Sequence, residues 1–221
     1  MKILVIAPHM DDEVLGCGGT IARYVKEGHE VHVVIIAHRI YDHHFDSAEY
    51  EREKKCTVYA KEILGYQDLT FLNLNDERLD ACLQDIIIPL EKLVQDFQPE
   101  WVFLCHRGDN NQDHRAVFHA ARVVLRQTVT PFIKKILCYE VPSSTEQSPP
   151  FPEDAFIPNV YVNIEKTLAK KITAMKCYDT EKRTYPHPRS KEALEITAKK
   201  RGIEAAYIVA EAFVLYRERT D

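Results

Sequence analysis

The chain has 221 residues, of which 45% are hydrophobic and 29% are charged, a balance typical of a globular protein with a buried core. Its formal net charge is −5, which argues against nucleic acid as the main partner because nucleic-acid-binding proteins usually present a basic face. We therefore expect residues 1–221 to form a single globular domain.

Strands and helices are predicted to alternate along the chain. Strands are expected where apolar residues run together, and helices where apolar residues recur at helical spacing. The predicted strands span residues 2–7, 30–37, 69–74, 101–105, 133–141, 160–164 and 210–216. The predicted helices span residues 13–26, 47–64, 78–97, 113–126, 165–178 and 191–200. This alternation predicts an α/β fold with a mostly parallel central sheet flanked by helices.

The connecting segments and the cysteines give further expectations. Residues 143–158 and 183–190 contain several prolines and are predicted to be loops, while His43 and His44 are expected in an exposed loop after the second strand. The six cysteines are widely spaced, with no C-x-x-C pair, as is typical of reduced core residues in a cytosolic protein. Neither a signal peptide nor an apolar run of membrane-spanning length is evident. We therefore expect a cytoplasmic protein without a membrane span.

The first acidic motif directly follows the first predicted strand. It places one imidazole and three carboxylates within five residues: His9, Asp11, Asp12 and Glu13. A buried carboxylate is costly unless it is paired or coordinates a metal, and ligands bind at the carboxyl ends of strands in open α/β sheets. Because His9 and Asp12 are three residues apart, both side chains can reach one cation. The motif predicts a metal site; a solvated acidic turn is the alternative.

A second polar motif, residues 106–115, follows the predicted strand 101–105 in the same way. Both motifs should therefore lie at the same edge of a parallel sheet. His114 is the best candidate for a third metal ligand, and the adjacent Asp113 could orient an imidazole or a bound water. The alternative is that both are ordinary residues in the first turn of a helix.

Together, His9, Asp12 and His114 would hold one divalent ion and leave a position open for water. Three protein ligands plus water are typical of a catalytic zinc site, although another ion such as Fe²⁺ would also suit these ligands. Zinc lowers the pKa of its water and polarises a carbonyl, and Asp11 is then a natural general base. The pattern predicts hydrolysis of an amide or an ester.

A glycine-rich stretch, Gly16-x-Gly18-Gly19, follows the first motif. In a dinucleotide-binding fingerprint the glycines lie in the turn between strand and helix, but here residues 9–13 fill that turn. We therefore expect these glycines to allow close packing of the first helix on the sheet.

With these motifs the chain resembles the LmbE-like, or PIG-L, family of metal-dependent deacetylases. The resemblance rests on Pro8-His9-x-Asp11-Asp12-Glu13, on Asp113-His114 and on Gly18-Gly19. It extends to C-terminal stretches at residues 139–141, 158–159, 185–190, 201–202 and 210–213. It implies a Rossmann-like three-layer sandwich, zinc at His9, Asp12 and His114, and Asp11 as the base. It also implies removal of the N-acetyl group from an N-acetylglucosamine-type amino sugar or its conjugate.

The chain departs from the family pattern at Asn111. The family commonly has a histidine at this position, three residues before the metal-binding histidine of the second motif. An asparagine can donate a hydrogen bond to an oxyanion but cannot act as a general acid. The proton for the leaving amine would then come from Asp11, His106 or His187.

Four further residues are candidates for substrate binding. Arg107 and Arg189 could meet a phosphate or a carboxylate, and Glu140 and Asn159 could bind sugar hydroxyls; each could instead have a purely structural role. Two other functions stay open: hydrolysis of another amide or ester at the same metal, and a sugar- or nucleotide-binding module without catalysis. A homo-oligomer is compatible with the sequence.

Overall fold

The computed structural model describes residues 1–38 and 47–220, so His43 and His44 lie outside the described residues. These described ranges contain seven strands: β1 (Lys2–Ala7), β2 (Glu30–His38), β3 (Asp68–Asn75), β4 (Trp101–Cys105), β5 (Lys135–Tyr139), β6 (Val160–Asn163) and β7 (Ala210–Glu218). Six α-helices accompany them: α1 (Asp12–Lys26), α2 (Ser47–Leu64), α3 (Leu83–Phe97), α4 (Gln112–Val124), α5 (Leu168–Met175) and α6 (Lys191–Glu204). None of the helices in this part of the chain is long and apolar enough to cross a membrane.

The strands form one sheet in the order β3-β2-β1-β4-β5-β7-β6. Strands β1 to β5 are parallel, whereas β7 pairs antiparallel with both β5 and β6. The helices fall into two groups, because α1, α2 and α5 contact one another while α3 contacts α4. Right-handed crossovers place these groups on opposite faces of the sheet. The predicted three-layer α/β architecture with a mostly parallel sheet is therefore confirmed.

The point where the strand order reverses lies between β1 and β4. From β1 the chain proceeds outward through β2 and β3, and from β4 it proceeds outward through β5 on the other side. The two strands are paired in parallel, with Ile3 opposite Trp101 and Val5 opposite Phe103. Open α/β sheets bind ligands in the crevice at such a reversal. The two polar motifs follow these two strands, so the sheet brings them to the same crevice.

Several predicted boundaries differ from the observed ones; helix α5, for example, spans Leu168–Met175 and not residues 165–178. Two of the differences have a local cause. Helix α3 begins at Leu83, not at residue 78, because the carboxylate of Asp113 accepts hydrogen bonds from the backbone nitrogens of Glu77 (2.7 Å) and Leu79 (3.1 Å). Strand β5 ends at Tyr139 because the Val141 nitrogen donates to a side chain, Thr145 Oγ1.

The glycines of α1 lie against bulky side chains, as the sequence predicted. A Cβ atom built on Gly16 would lie 2.2 Å from a ring carbon of Tyr139, and one on Gly19 would lie 2.9 Å from Ile164. The Tyr139 hydroxyl in turn donates to the Ile6 carbonyl at 2.7 Å. The ring therefore cannot easily move away, and the close approach of α1 to the sheet requires glycine at position 16.

Replacing Gly16 by alanine should destabilise the fold despite the higher helix propensity of alanine. Overpacking typically costs about 1–3 kcal/mol, and each kcal/mol lowers the Tm of a chain of this size by roughly 2–4 °C. Calorimetry of Gly16→Ala measures the loss. The matched control is Gly18→Ala, whose added methyl would lie 3.3 Å from Lys171 Cγ and should cost less. Equal Tm values for the wild type and Gly16→Ala would contradict this packing argument.

Candidate metal centre

Three buried or nearly buried polar atoms face one another in the crevice between β1 and β4. His9 Nδ1 lies 3.2 Å from His114 Nε2 and 3.4 Å from Asp12 Oδ2. The third side of the triangle, from His114 Nε2 to Asp12 Oδ2, is 3.2 Å. The side chains of His9, Asp12 and His114 are only 14%, 1% and 2% exposed, respectively. The structure thus brings together the three residues that the sequence predicted to be metal ligands.

These distances fit a tetrahedral zinc ion. With bonds of about 2.0–2.1 Å, two zinc ligands lie roughly 3.3 Å apart. Two neutral imidazoles and a carboxylate would direct lone pairs at one another here, which is unfavourable unless a proton or a cation lies between them. The other carboxylate oxygen, Asp12 Oδ1, is buried and makes no hydrogen bond to any described residue. The residues therefore fit a divalent ion both in donor type and in spacing.

Two carboxylates lie next to the imidazole of His9, on the side away from Asp12 and His114. Its second ring nitrogen, Nε2, lies 2.9 Å from Asp76 Oδ1 and 3.2 Å from Asp113 Oδ2. Such partners fix the orientation and tautomer of a metal-binding imidazole. The sequence pointed to Asp113 but missed Asp76, which comes directly after β3. Its position at the carboxyl end of a parallel strand was the available signal.

Asp109 has the same position behind His114. Its Oδ1 lies 3.2 Å from His114 Nδ1 and accepts a hydrogen bond from the backbone nitrogen of Asn111 at 2.9 Å. The hydroxyls of Ser144 and Thr145 also donate to this fully buried carboxylate. Asp109 lies within the second motif, but its sequence position alone does not distinguish it from the neighbouring polar residues.

The charges of these groups are strongly coupled. Burial favours the neutral form of His9, but hydrogen bonds to Asp113, Asp12 and Asp76 outweigh it and hold the pKa of His9 well above its usual range. Burial also opposes the charged form of His114, yet Asp12 and Asp109 raise the pKa of His114 to about 9. Although burial favours the protonated form of Asp12, His114 and His9 hold its pKa well below the usual range. Without a metal, the site therefore holds protons.

Asp11 has a strained backbone. Its φ angle is 107°, in the left-handed region that residues other than glycine rarely adopt. The backbone nitrogen of Asp11 donates to Glu13 Oε2 at 3.2 Å, and the Tyr178 hydroxyl donates to Glu13 Oε1 at 2.7 Å. Burial raises the pKa of Glu13 to about 8, although the hydrogen bond from Tyr178 opposes this shift. Glu13 therefore braces the turn that carries Asp11.

Arg189 reaches the site from the far end of the chain. Its Nη1 lies 2.9 Å from Asp11 Oδ2 and 2.6 Å from Glu181 Oε2, and its Nε donates to Ser143 Oγ at 2.6 Å. The guanidinium thus holds the Asp11 carboxylate in a fixed position. Of the two arginines proposed to bind substrate, this one lies beside the candidate metal centre.

The cavity above these residues, which we call the His9 cavity, measures 330 Å³, near the lower end for small-molecule sites. In the part of the chain that the structure describes, its lining residues are all polar or charged: His9, Asp11, Asp76, Glu77, Asn110, Asn111, Gln112, Asp113, His114, Ser143, Ser144 and Arg189. Asn111 Oδ1 accepts from the Asp113 nitrogen at 2.8 Å and caps α4. Since its oxygen is used in this way, the amide nitrogen of Asn111 is the group left to contact a ligand.

Glu140 and Asn159 do not reach the His9 cavity. Glu140 makes a two-bond ion pair with Arg201, with separations of 2.7 and 2.6 Å. Asn159 Oδ1 accepts from the Leu215 nitrogen at 2.8 Å and secures the outer edge of the sheet. The protein itself thus uses the Glu140 carboxylate and the Asn159 amide oxygen, and contact of these two residues with sugar hydroxyls stays a prediction.

Arg107 and the two histidines predicted as possible proton donors, His106 and His187, also lie outside the lining of the His9 cavity. Arg107 is exposed and donates to the Glu153 carbonyl. His187 Nδ1 accepts from the Arg189 nitrogen at 3.1 Å, so it stabilises the turn that carries Arg189. His106 Nε2 lies 3.0 Å from the Asp154 carbonyl oxygen, and burial lowers the pKa of His106. None of the three lines the His9 cavity.

The chain is similar to proteins of known sequence and structure. Residues 4–125 match the PIG-L family, described as GlcNAc-PI de-N-acetylase. The protein "Uncharacterized deacetylase YaiS" of Escherichia coli (strain K12) is 31% identical over 186 residues, covering 79% of this chain and 88% of the relative.

Two solved structures share the fold over nearly the whole chain. N,N'-diacetylchitobiose deacetylase from Pyrococcus horikoshii has a TM-score of 0.75 at 21% identity, with 97% of this chain and 83% of that chain covered. GalB, the 4-carboxy-2-hydroxymuconate hydratase from Pseudomonas putida KT2440, has a TM-score of 0.76 at 23% identity, with 100% and 98% covered. Because one is a deacetylase and the other a hydratase, the fold alone does not select the chemistry. The matched segment and the 31% identical relative show the narrower relationship: this chain belongs to the PIG-L family.

Proposed function

We propose that the protein is a metal-dependent N-deacetylase that releases acetate from an N-acetylglucosamine-type amino sugar or its conjugate. The observation that carries this proposal is the triangle of His9 Nδ1, Asp12 Oδ2 and His114 Nε2, with sides of 3.2–3.4 Å, next to Asp11. Zinc is the ion that best matches two imidazoles and one carboxylate at this spacing, and Fe²⁺ is the alternative. Membership of the PIG-L family and the deacetylases among its relatives support the substrate class.

The residues around the ion have distinct roles in the proposed reaction. A zinc ion held by His9, Asp12 and His114 would supply a Lewis acid that lowers the pKa of water and polarises a carbonyl. Asp11 takes a proton from the attacking water as general base. Arg189, 2.9 Å from Asp11 Oδ2, keeps the carboxylate directed at the cavity. The Nδ2 of Asn111 donates a hydrogen bond to the amide oxygen, where negative charge develops.

Asp11 is also the best candidate for the proton donor. The lining of the His9 cavity contains neither His106 nor His187, and Asn111 cannot release a proton. Once protonated by the attacking water, Asp11 can transfer that proton to the nitrogen as the carbon–nitrogen bond breaks. One carboxylate then acts first as base and afterwards as acid, and the products are acetate and the free amine.

The first prediction concerns Asp11→Asn. The amide cannot accept the proton, so acetate release should fall by roughly 10²- to 10⁴-fold, whereas zinc binding should persist because Asp11 is outside the ligand triangle. Acetate release is measured on a panel of N-acetyl sugars, acyl esters and other amides, and bound zinc by elemental analysis.

The control is Asp80→Asn, which removes an exposed carboxylate and should leave both quantities unchanged. Full activity in Asp11→Asn would contradict the mechanism. Faster cleavage of esters than of N-acetyl sugars would favour the alternative hydrolase, and zinc binding without turnover of any compound would favour a binding module.

A second prediction concerns pH. With a pKa of about 9 in the metal-free protein, His114 is protonated at pH 7, so an ion must displace a proton when it binds. The affinity for zinc should rise as the pH rises from 7 through 9. Competition with a chelator, corrected for the chelator's own protonation, measures the affinity, and calorimetry in buffers of different ionisation enthalpy measures proton release. An affinity independent of pH would contradict the assignment of His114.

The raised pKa of His114 changes the stability of the metal-free protein with pH in the opposite direction to the affinity for zinc. A histidine with a raised pKa contributes stability that is complete below its unfolded value, about 6.5, and is lost as the pH rises through about 9. Metal-free protein should therefore lose this contribution over the range in which its affinity for zinc increases. Thermal melts with and without a chelator across this range provide the comparison.

A third prediction concerns Asp76, whose carboxylate is the nearer of the two behind His9. Burial raises the pKa of Asp76, but the interaction with His9 outweighs it and lowers the value to about 2, so the group is ionised at neutral pH. Asp76→Asn keeps the size but removes the charge that orients the imidazole. Loss of such a partner typically reduces metal affinity or activity by about 10- to 100-fold. The zinc Kd measures the effect, Asp80→Asn is the control, and an unchanged Kd would show that Asp113 suffices.

A further inference from the structure

A second cavity adjoins the His9 cavity and shares Arg189 with it. This cavity, which we call the α5–α6 cavity, measures 290 Å³ and lies between the helices α5 and α6. Arg189 lines both cavities, and Glu181, which accepts from Arg189 at 2.6 Å, lines the second. Arg189 therefore belongs both to the wall of the His9 cavity and to the wall of a second space of similar size.

The floor of the α5–α6 cavity is apolar. Ile172 and Met175 of α5 and Leu194 of α6 line it, and all three are at most 7% exposed. The described residues that line the His9 cavity, in contrast, are all polar or charged. Apolar surface removed from water contributes about 25 cal/mol per Å², so a hydrocarbon segment would gain binding free energy on the floor of the α5–α6 cavity.

The rim of the α5–α6 cavity is cationic. Four exposed side chains supply the charge: Lys176, Lys182, Arg183 and Lys191. The carboxylate in this lining, Glu181, is already held by Arg189 and also pairs with Arg183 at 3.5 Å. Lys191 pairs with Glu195 at 3.6 Å. Lys176 and Lys182 make no ion pair with any residue in the described ranges. This local excess of positive charge contrasts with the net charge of −5 of the whole chain, and it would attract an anion.

We propose that the α5–α6 cavity binds the group attached to the amino sugar, and that this group carries an apolar segment with a carboxylate or a phosphate. The inference rests on the proposed deacetylase function and specifies its substrate class. The amino sugar occupies the polar His9 cavity, where its acetamide meets the candidate metal centre. The attached group passes Arg189, lies on the floor of Ile172, Met175 and Leu194, and brings its anion to the lysines at the rim.

Synthetic glycosides of N-acetylglucosamine test this assignment, each prepared as both anomers. The aglycones are methyl, octyl, an eight-carbon chain ending in a carboxylate, and the same chain ending in a phosphate. We expect kcat/KM to rise from methyl to octyl, and to rise again by roughly tenfold for at least one charged compound, which corresponds to about 1.4 kcal/mol. The carboxylate and phosphate arms show which anion is preferred. Added salt should reduce the second increase but not the first, because it screens exposed charges.

The double variant Lys176→Glu/Lys182→Glu locates the effect. In this variant the ratio of kcat/KM for the preferred charged compound to that for octyl should fall below one, because the rim then repels the anion. The matched control, Lys170→Glu/Lys199→Glu, makes the same charge change at exposed positions of α5 and α6 that lie outside the cavity lining. Its ratio should equal that of the wild type.

The outcomes separate the two proposals. If the wild type releases acetate from none of the glycosides, the proposed function fails. If it releases acetate from the methyl compound but shows no preference for the longer or charged aglycones, the deacetylase stands and the assignment of the α5–α6 cavity is overturned. An equal fall in the ratio for the test and control variants would also overturn it, since the effect would then reflect overall charge.

Discussion

The arrangement of the site follows from one unfavourable contact: three electron-pair donors, on His9, Asp12 and His114, lie within 3.4 Å of one another in a place with little access to water. Such a cluster is stable only with positive charge at its centre, whether protons or a metal ion supply it. The carboxylates of Asp76, Asp113 and Asp109 behind the imidazoles increase the negative charge around that centre. The backbone around the site is correspondingly constrained, because turns from β1, β3 and β4 must converge on the same few ångströms.

Asp113 shows how this convergence is achieved. Its carboxylate lies beside His9 and also accepts two backbone hydrogen bonds from the turn after β3. That turn carries Asp76 to the same imidazole. The carboxylate of Asp113, at the start of α4, thus connects the segments that follow three strands. Because this carboxylate binds the turn after β3, α3 begins later than the sequence predicted.

Much of this could be predicted from the sequence, because local patterns encode it. The apolar runs and helical spacings predicted the layers of the fold, and the two motifs after β1 and β4 indicated the ligand triangle. What the sequence could not predict depends on contacts between distant residues. Glu140 and Asn159 were assigned to the substrate, but an arginine 61 residues away and a backbone nitrogen 56 residues away use their polar atoms. Similarly, the contact of Arg189 with Asp11 spans 178 residues and has no signature in either local segment.

Asp11 lies in one part of the chain and is held in place by residues from another part. Its turn belongs to the segment that matches the PIG-L family, residues 4–125, while the groups that hold it come from the remainder: Tyr178 through Glu13, and Arg189 directly. Arg189 is also the wall shared with the α5–α6 cavity. In the proposed reaction, substrate preference and rate would therefore be mechanically linked. A change that reshapes the arginine's surroundings to admit a different molecule also shifts the carboxylate on which turnover would depend, so new specificity would have to evolve together with compensating changes at the strained turn.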